Sequence, residues 1–244
     1  QTVETIGPSR FSGVCSDSTG NTRLSRQIAC TRIIKTALNF GDCCHHLNRT
    51  IWSITALPHF QETVRIVRKT ITTFHTSHIG HAALEAARSR MIKGPGLEAI
   101  GKTRFATIIL SALSVQRNLA AIKNVIESSP GSYPEIEDFY QTAPGDLQTF
   151  EFERSLSQLC QVGTPAAKAL ACLEAVEATA ADVYVFWHAV LRATEDVLQM
   201  KKLHFERDVA DAIRGILNAR HRQLFEDGNI ATDGYLTATY LNPS

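Results

Sequence analysis

Phe11-Ser-Gly-Val-Cys-Ser-Asp17-Ser-Thr-Gly-Asn-Thr22 is a short β-prone run that ends on an aspartate and opens directly into a helical pattern. A strand end fixes the direction of a carboxylate, and Gly20 and Asn21 supply the turn chemistry that lets the chain reverse into a helix. That is a way to deliver a carboxylate to a metal, and Asp17 is the candidate. A lone Asp in such a turn also caps the following helix, so both roles stand open on the residues alone.

Working outward, Asn21 to Leu38 reads as a helix and Phe40 to His45 as a second short strand. Phe60, Val64, Val67, Ile71 and Phe74 then follow helical spacing, with Arg65, Arg68, Lys69 and Thr72 on the other side, which predicts a basic amphipathic helix. Ala82 to Met91 is a shorter helix closed by Lys93-Gly-Pro-Gly96, and a long apolar helix runs from Arg104 to about Glu127. Ser128-Ser-Pro-Gly-Ser-Tyr-Pro134 is the clearest loop. Beyond it, helical patterns centre on Phe152 to Leu159, on Ala169 to Val176 after a start at Pro165, on Val183 to Val197 and on Val209 to Leu224. Tyr235 to Leu241 alternates like a strand.

The chain has 244 residues, 44% hydrophobic and 20% charged, enough for one large domain or a core with a sizeable insertion. No apolar run reaches the roughly 18 residues that cross a bilayer, so no membrane role is expected. The first residues lack the pattern of a secretory leader. Opening on Gln1 instead of Met, the sequence reads as a fragment or a processed chain. Its six cysteines (Cys15, Cys30, Cys43, Cys44, Cys160 and Cys172) read as free thiols of a reducing compartment.

The net charge of +1 hides an asymmetry. Residues 1–120 hold 15 Lys/Arg against 6 Asp/Glu, and residues 121–244 hold 10 against 18. A basic first half suits a polyphosphate partner, and the two halves would also attract one another within the chain.

Three further motifs bear on chemistry. Asp42-Cys-Cys-His-His46 has metal-ligand residue types, but on a strand neighbours point to opposite faces, so only Cys43 with His45, or Cys44 with His46, could share an ion. Gly96-Leu-Glu-Ala-Ile-Gly101-Lys102-Thr103 satisfies the phosphate-loop pattern letter for letter. A phosphate loop leaves a buried strand, however, and a helix precedes this one, so no nucleotide is expected and Lys102 is not assigned to one. Arg104 and Phe105 follow at once, a cation beside an aromatic ring.

The opening motif, together with Asp42-Cys-Cys-His-His-Leu-Asn48, resembles the hAT (hobo, Activator, Tam) transposase superfamily. Gly101-Lys-Thr-Arg-Phe-Ala-Thr107, Pro165-Ala-Ala-Lys-Ala-Leu170, Ala180 to Trp187 and Tyr240-Leu-Asn-Pro243 extend the resemblance over most of the chain. It implies an α/β, mostly α architecture: a partial ribonuclease H-like core interrupted by a large all-helical insertion. Residues 1–48 would belong to the core and 49–228 to the insertion, with a sub-boundary near 128–134. Residues 229–244 would be the return strand. Asn242 departs from the family's Asp at that return.

By the same resemblance Asp17 is the second of three acids that hold Mg2+ or Mn2+, the first lying upstream of residue 1 and the third beyond Ser244. Phe105, beside Arg104, would stack on a displaced base. From the residues alone, the basic face of Arg65, Arg68 and Lys69 could neutralise DNA phosphates, although such a face is ordinarily just solvated. The implied function is that of the central region of a DNA transposase or a domesticated derivative, acting in the nucleus. Strand cleavage and homo-oligomer formation would need parts absent from this sequence. A non-catalytic helical protein-interaction module is the alternative from another class.

Overall fold

A computed structural model describes residues 2–17, 19–101, 106–141, 145–226 and 232–242. It is mostly helical, 75% helix, with one small two-stranded parallel sheet. A short helix α1 (Thr2–Ile6) leads through a 3-10 turn to β1 (Gly13–Ser16). Helix α2 (Gly20–Ile28) follows, prolonged by a π turn over Ala29–Ile33, and the chain returns as β2 (Leu38–Gly41). The register pairs Gly13 with Leu38, Val14 with Asn39, Cys15 with Phe40 and Ser16 with Gly41. Gly13 has a steric reason to lack a side chain, because a Cβ there would lie 3.0 Å from the Phe40 ring.

Two expectations shift here. The helix expected to reach Leu38 leaves helical geometry at Ile34 (φ −121°, ψ 69°), in a stretch where Thr31, Ile33 and Ile34 are β-branched. The second strand ends at Gly41, and Cys43 to His46 are helical. Asp42 explains the change, since its carboxylate accepts from the His45 N–H at 3.0 Å and so caps α3 (Cys43–Thr55).

The helical body comprises α4 (Pro58–Thr76), α5 (His78–Met91), α6 (Thr107–Ser128), α7 (Leu147–Leu173), α8 (Ala180–Leu198), α9 (Arg207–Phe225) and α10 (Thr232–Leu241). Caps fit the sequence: Ser77 accepts from Gly80 N–H, Asp146 from Thr149 N–H, and Thr179 with Asp182 forms a capping box. Helix α7 is the axis against which α3, α4, α6 and α8 pack. Its inner face carries Phe152, Leu156, Leu159, Val162, Ala166 and Leu170. At Gly163 a Cβ would lie 2.7 Å from Ile109 Cγ1, so the close approach of α6 to α7 requires glycine there.

Pro165 does not start a helix; it lies inside α7. The carbonyl deprived of its N–H partner is that of Gln161, which is exposed, so water can satisfy it. The Thr164 hydroxyl donates to the Cys160 carbonyl at 2.6 Å one turn earlier.

The last segment also departs from expectation. Tyr235 to Leu241, read as a return strand, is helical and packs on α8. Trp187 of α8 is fully buried, with the Phe225 ring centroid 6.3 Å away. The 129–134 loop is present, with a positive φ at Gly131. Across it, the Lys69 ammonium meets the Glu135 carboxylate at 2.5 Å.

Candidate functional site at the strand ends

Asp17 lies one residue past β1, where the sequence places it. Its Oδ1 accepts from the Thr19 N–H at 3.3 Å, from the Thr19 hydroxyl at 3.1 Å and from the Thr22 hydroxyl. The Thr22 bond above all, and then the Thr19 bonds, hold this carboxyl below the usual range, so it is ionised at neutral pH. In this arrangement Asp17 organises the turn into α2, whose formal cap residue Thr19 makes no side-chain cap of its own.

Arg26 is a residue that sequence reasoning missed. It is 3% exposed, and its guanidinium reaches under the end of the sheet. Nη1 donates to the Ser16 carbonyl and hydroxyl, each at 2.7 Å, and to the Asp17 carbonyl at 3.1 Å, while Nε donates to Asn39 Oδ1 at 2.5 Å. A buried cation held by neutral oxygens from both strands locks their ends together. The signal was there as a helix periodicity: Arg26 falls on the face of α2 that turns to the sheet, where an apolar residue is the ordinary occupant.

Asp42 stands at the end of the neighbouring strand, and its N–H donates to the Ser16 carbonyl at 3.0 Å. Parallel register therefore sets Asp42 beside Asp17, each at a strand end that opens into a helix. The ligand atoms of Asp42, Cys43 and Cys44 lie within 4.8 Å of one another, and the two thiol sulfurs are 3.9 Å apart. The expectation of alternate faces fails here because these residues form the first turn of α3. His46 is 2% exposed, and burial first, then His45, pushes its imidazole down to about 4.

A two-ion magnesium or manganese centre needs several converging carboxylates or phosphate oxygens. Among the described residues, the one convergent group of three or more donors is the thiol-rich Asp42-Cys43-Cys44, and Asp17 is not in it. Thiolates suit softer ions than magnesium, so these donors do not fit that centre and no cleavage step is derived from them.

The basic side of α4 does not form one patch. Arg65 makes paired hydrogen bonds of 2.8 and 2.7 Å to Glu62, and Lys69 is held by Glu135. Arg68 instead lines a groove of about 720 Å³ with Trp52, Val64, Ile71, His75 and Ile100. Trp52 is 45% exposed, and the Arg49 guanidinium lies 5.8 Å from its ring centroid. Gly101 forms one wall, but Lys102, Arg104 and Phe105 lie outside the described residues. Trp52 was not singled out from the sequence, because on an amphipathic helix a lone Trp reads as core.

The glycine-rich segment over residues 92–101 is irregular and follows α5, not a strand. Its carbonyls are bound from the protein side: Arg88 Nη2 donates to Gly94 O at 2.7 Å, and Arg117 Nε to Pro95 O at 3.1 Å. Two of its N–H groups, those of Glu98 and Gly101, donate to the Ser114 and Thr107 hydroxyls at 2.9 and 3.0 Å. Those donors are committed within the fold, whereas a phosphate cradle keeps them free for an anion.

No known protein family, no curated protein and no solved structure matches this chain.

Proposed function

We propose that this chain is the central region of a hAT-type transposase or of a domesticated derivative, binding DNA in the nucleus. Strand cleavage would then belong only to the full-length protein. One observation carries the reading. Two parallel strands joined by a helix each end in an aspartate that opens into a helix, and the unit is unfinished as a layer. Leu24, Ile28, Ile33 and Leu38 are all more than a third exposed around it. Parallel sheets are ordinarily covered on both faces, so this unit suits a larger α/β core with a helical body attached. The resemblance of the Asp17 and Asp42 segments to the family supplies the identity of that core, and the basic first half supplies the partner.

The groove lined by Arg68 and Trp52, with Arg49 over the Trp52 ring, is the DNA-facing surface in this reading. Cations neutralise phosphates, while an exposed ring offers a stacking face to an unpaired base. Fluorescence anisotropy of labelled duplex and single-stranded oligonucleotides, titrated with this chain over a salt series, tests the proposal. Salt-sensitive binding that weakens in Arg68→Glu and in Trp52→Ala is expected. Absence of binding at low salt, or binding indifferent to both substitutions, overturns it and favours the protein-interaction module.

A further inference from the structure

We propose that Arg49 and Arg220 form a clamp for one backbone phosphate of a nucleic-acid strand, at the seam between α3 and α9 beside Trp52. The proposal rests on the DNA-binding reading and deepens it. It names a second contact, supplied by a helix from the far end of the chain, that carries the strand out of the groove and over the seam.

The two guanidiniums meet at one turn of α3. Arg49 lies over the Trp52 ring, 5.8 Å from its centroid. Arg220 reaches across from α9, where its Nη2 donates to the Ser53 hydroxyl at 3.2 Å and its Nη1 to Gln223 Oε1 at 2.8 Å. Arg49 and Ser53 are four residues apart on a helix, so they stand one above the other on the same face. The bond to Ser53 therefore holds Arg220 beside Arg49. Trp52, next to Ser53 in the chain, is a wall of the groove that Arg68 faces, so the pair continues that surface.

The fold does not neutralise these charges. The partners of Arg220 are a hydroxyl and an amide, both neutral, and neither arginine makes an ion pair among the described residues. The two helices have no acid to offer: α3 holds no Asp or Glu from Cys43 to Thr55, and α9 holds none from Ala212 to Phe225. The cations of α4 differ, since Arg65 and Lys69 each have a carboxylate of their own. Burial first, and Arg49 next, push the Arg220 guanidinium down from its usual value, as expected of like charges set together. An anion relieves that repulsion, and the planar fork of arginine matches two oxygens of a phosphate. Beside the clamp, the exposed Trp52 ring gives the adjoining base a stacking face, which favours a strand over a free phosphate.

The test uses this whole chain and a fluorescein-labelled single-stranded oligonucleotide, followed by anisotropy over a salt series. Arg49→Gln and Arg220→Gln, which keep a donor and lose the charge, should each weaken binding by about tenfold, as for a lost hydrogen bond to a charged group. The double variant should flatten the salt slope by about 0.7, the share of one phosphate on a single strand. Arg220→Lys should keep the slope and recover only part of the affinity, because it restores the charge without the fork. Arg192→Gln, at an exposed position on α8, should change neither. Phenylglyoxal labelling of the wild-type chain, mapped by mass spectrometry, needs no variant: the oligonucleotide should protect Arg49 and Arg220 and leave Arg192 reactive, and tripolyphosphate should protect the pair far less. If Arg68→Glu weakens binding while the oligonucleotide leaves Arg49 and Arg220 unprotected, the clamp falls and the DNA-binding reading stands. If tripolyphosphate protects the pair in a chain that binds no oligonucleotide, the strand is the wrong ligand and both fall.

Discussion

The Tyr235 phenol donates a hydrogen bond of 3.2 Å to the carbonyl oxygen of Gly41, joining the last helix to the end of β2 across 194 residues of sequence. The same ring lies 5.0 Å from Phe40 and 5.2 Å from Phe225, centroid to centroid. One side chain thus ties the sheet, α9 and α10 together. Burial pushes its phenol well above the usual tyrosine range, so it stays a donor at any ordinary pH.

Tyr235→Phe should therefore cost about 1 kcal/mol, the net worth of one hydrogen bond. Tyr235→Ala, which also removes the ring from its two aromatic neighbours, should cost about 3–5 kcal/mol. Urea denaturation of the two variants measures both. Equal losses would mean that the ring adds nothing to the joint beyond its hydroxyl.

Arg26 offers a sharper case. Arg26→Ala removes the buried cation that bridges Ser16, the Asp17 carbonyl and Asn39 Oδ1, and should destabilise by about 3 kcal/mol or more. Arg26→Lys should not restore it, because a single ammonium cannot span Ser16 and Asn39 as the fork does. Hydrogen exchange at Val14 to Ser16, faster in both variants while the α7 amides stay protected, is the expected signature.

Gly163→Ala should cost about 1–3 kcal/mol by overpacking α7 against α6. Combining it with Ile109→Val, which trims the side chain it strikes, should return part of that loss. Thermal melts of the single and double variants decide the point.

Among the α4 cations, the structure ranks three residues that sequence treats alike. Arg65 and Lys69 are held by Glu62 and Glu135, and Arg68 faces the groove. Arg68→Glu should lower DNA affinity more than Arg65→Glu or Lys69→Glu, and should flatten the salt slope by about 0.9, the share of one neutralised phosphate on a duplex. A filter-binding salt series over the three single variants checks it; an equal drop in all three would return them to one undivided patch.

Acid should loosen the joint between α8 and α9. Arg214 donates to Glu195 at 2.8 and 2.9 Å, and these bonds, followed by that from Gln199, hold the Glu195 carboxyl down to about 2 from its ordinary 4.5. A depressed acid stabilises the fold fully above its unfolded value, and the contribution fades as pH falls from 4.5 toward 2. Both side chains are about a third exposed (34% and 37%), so the effect is small and shrinks with salt. Denaturation midpoints of wild type and Glu195→Gln should converge as pH falls through that window.

What the sequence disclosed was local. The run ending at Asp17, and the stripe from Phe60 to Phe74, are set by the period of neighbouring residues, and they stand in the structure as read. What it concealed was tertiary. Tyr235 to Leu241 carries β-favouring Thr and Tyr in alternation, yet the seat of Tyr235 between Phe40 and Phe225 makes the segment a helix. Pro165 reads as a helix start by preference, but the apolar face from Leu156 to Leu170 runs straight through it. Asp42 reads as a strand residue until its carboxylate is seen to cap α3, and the pairing of Cys43 with Cys44 follows only from that. Arg26 left a trace only in its helix-face position on α2; that its guanidinium is buried against Ser16 and Asn39 follows from the tertiary pairing of the two strands.

The two tryptophans divide the protein into two optical channels. Trp187 is sealed in the core, so its emission should stay blue-shifted until the helical body opens. Trp52, at the mouth of the groove, should emit further to the red, yield to aqueous iodide, and respond to anything laid across Arg68. Occupancy of the groove and integrity of the fold can therefore be followed in one cuvette, at two wavelengths, without attaching a dye.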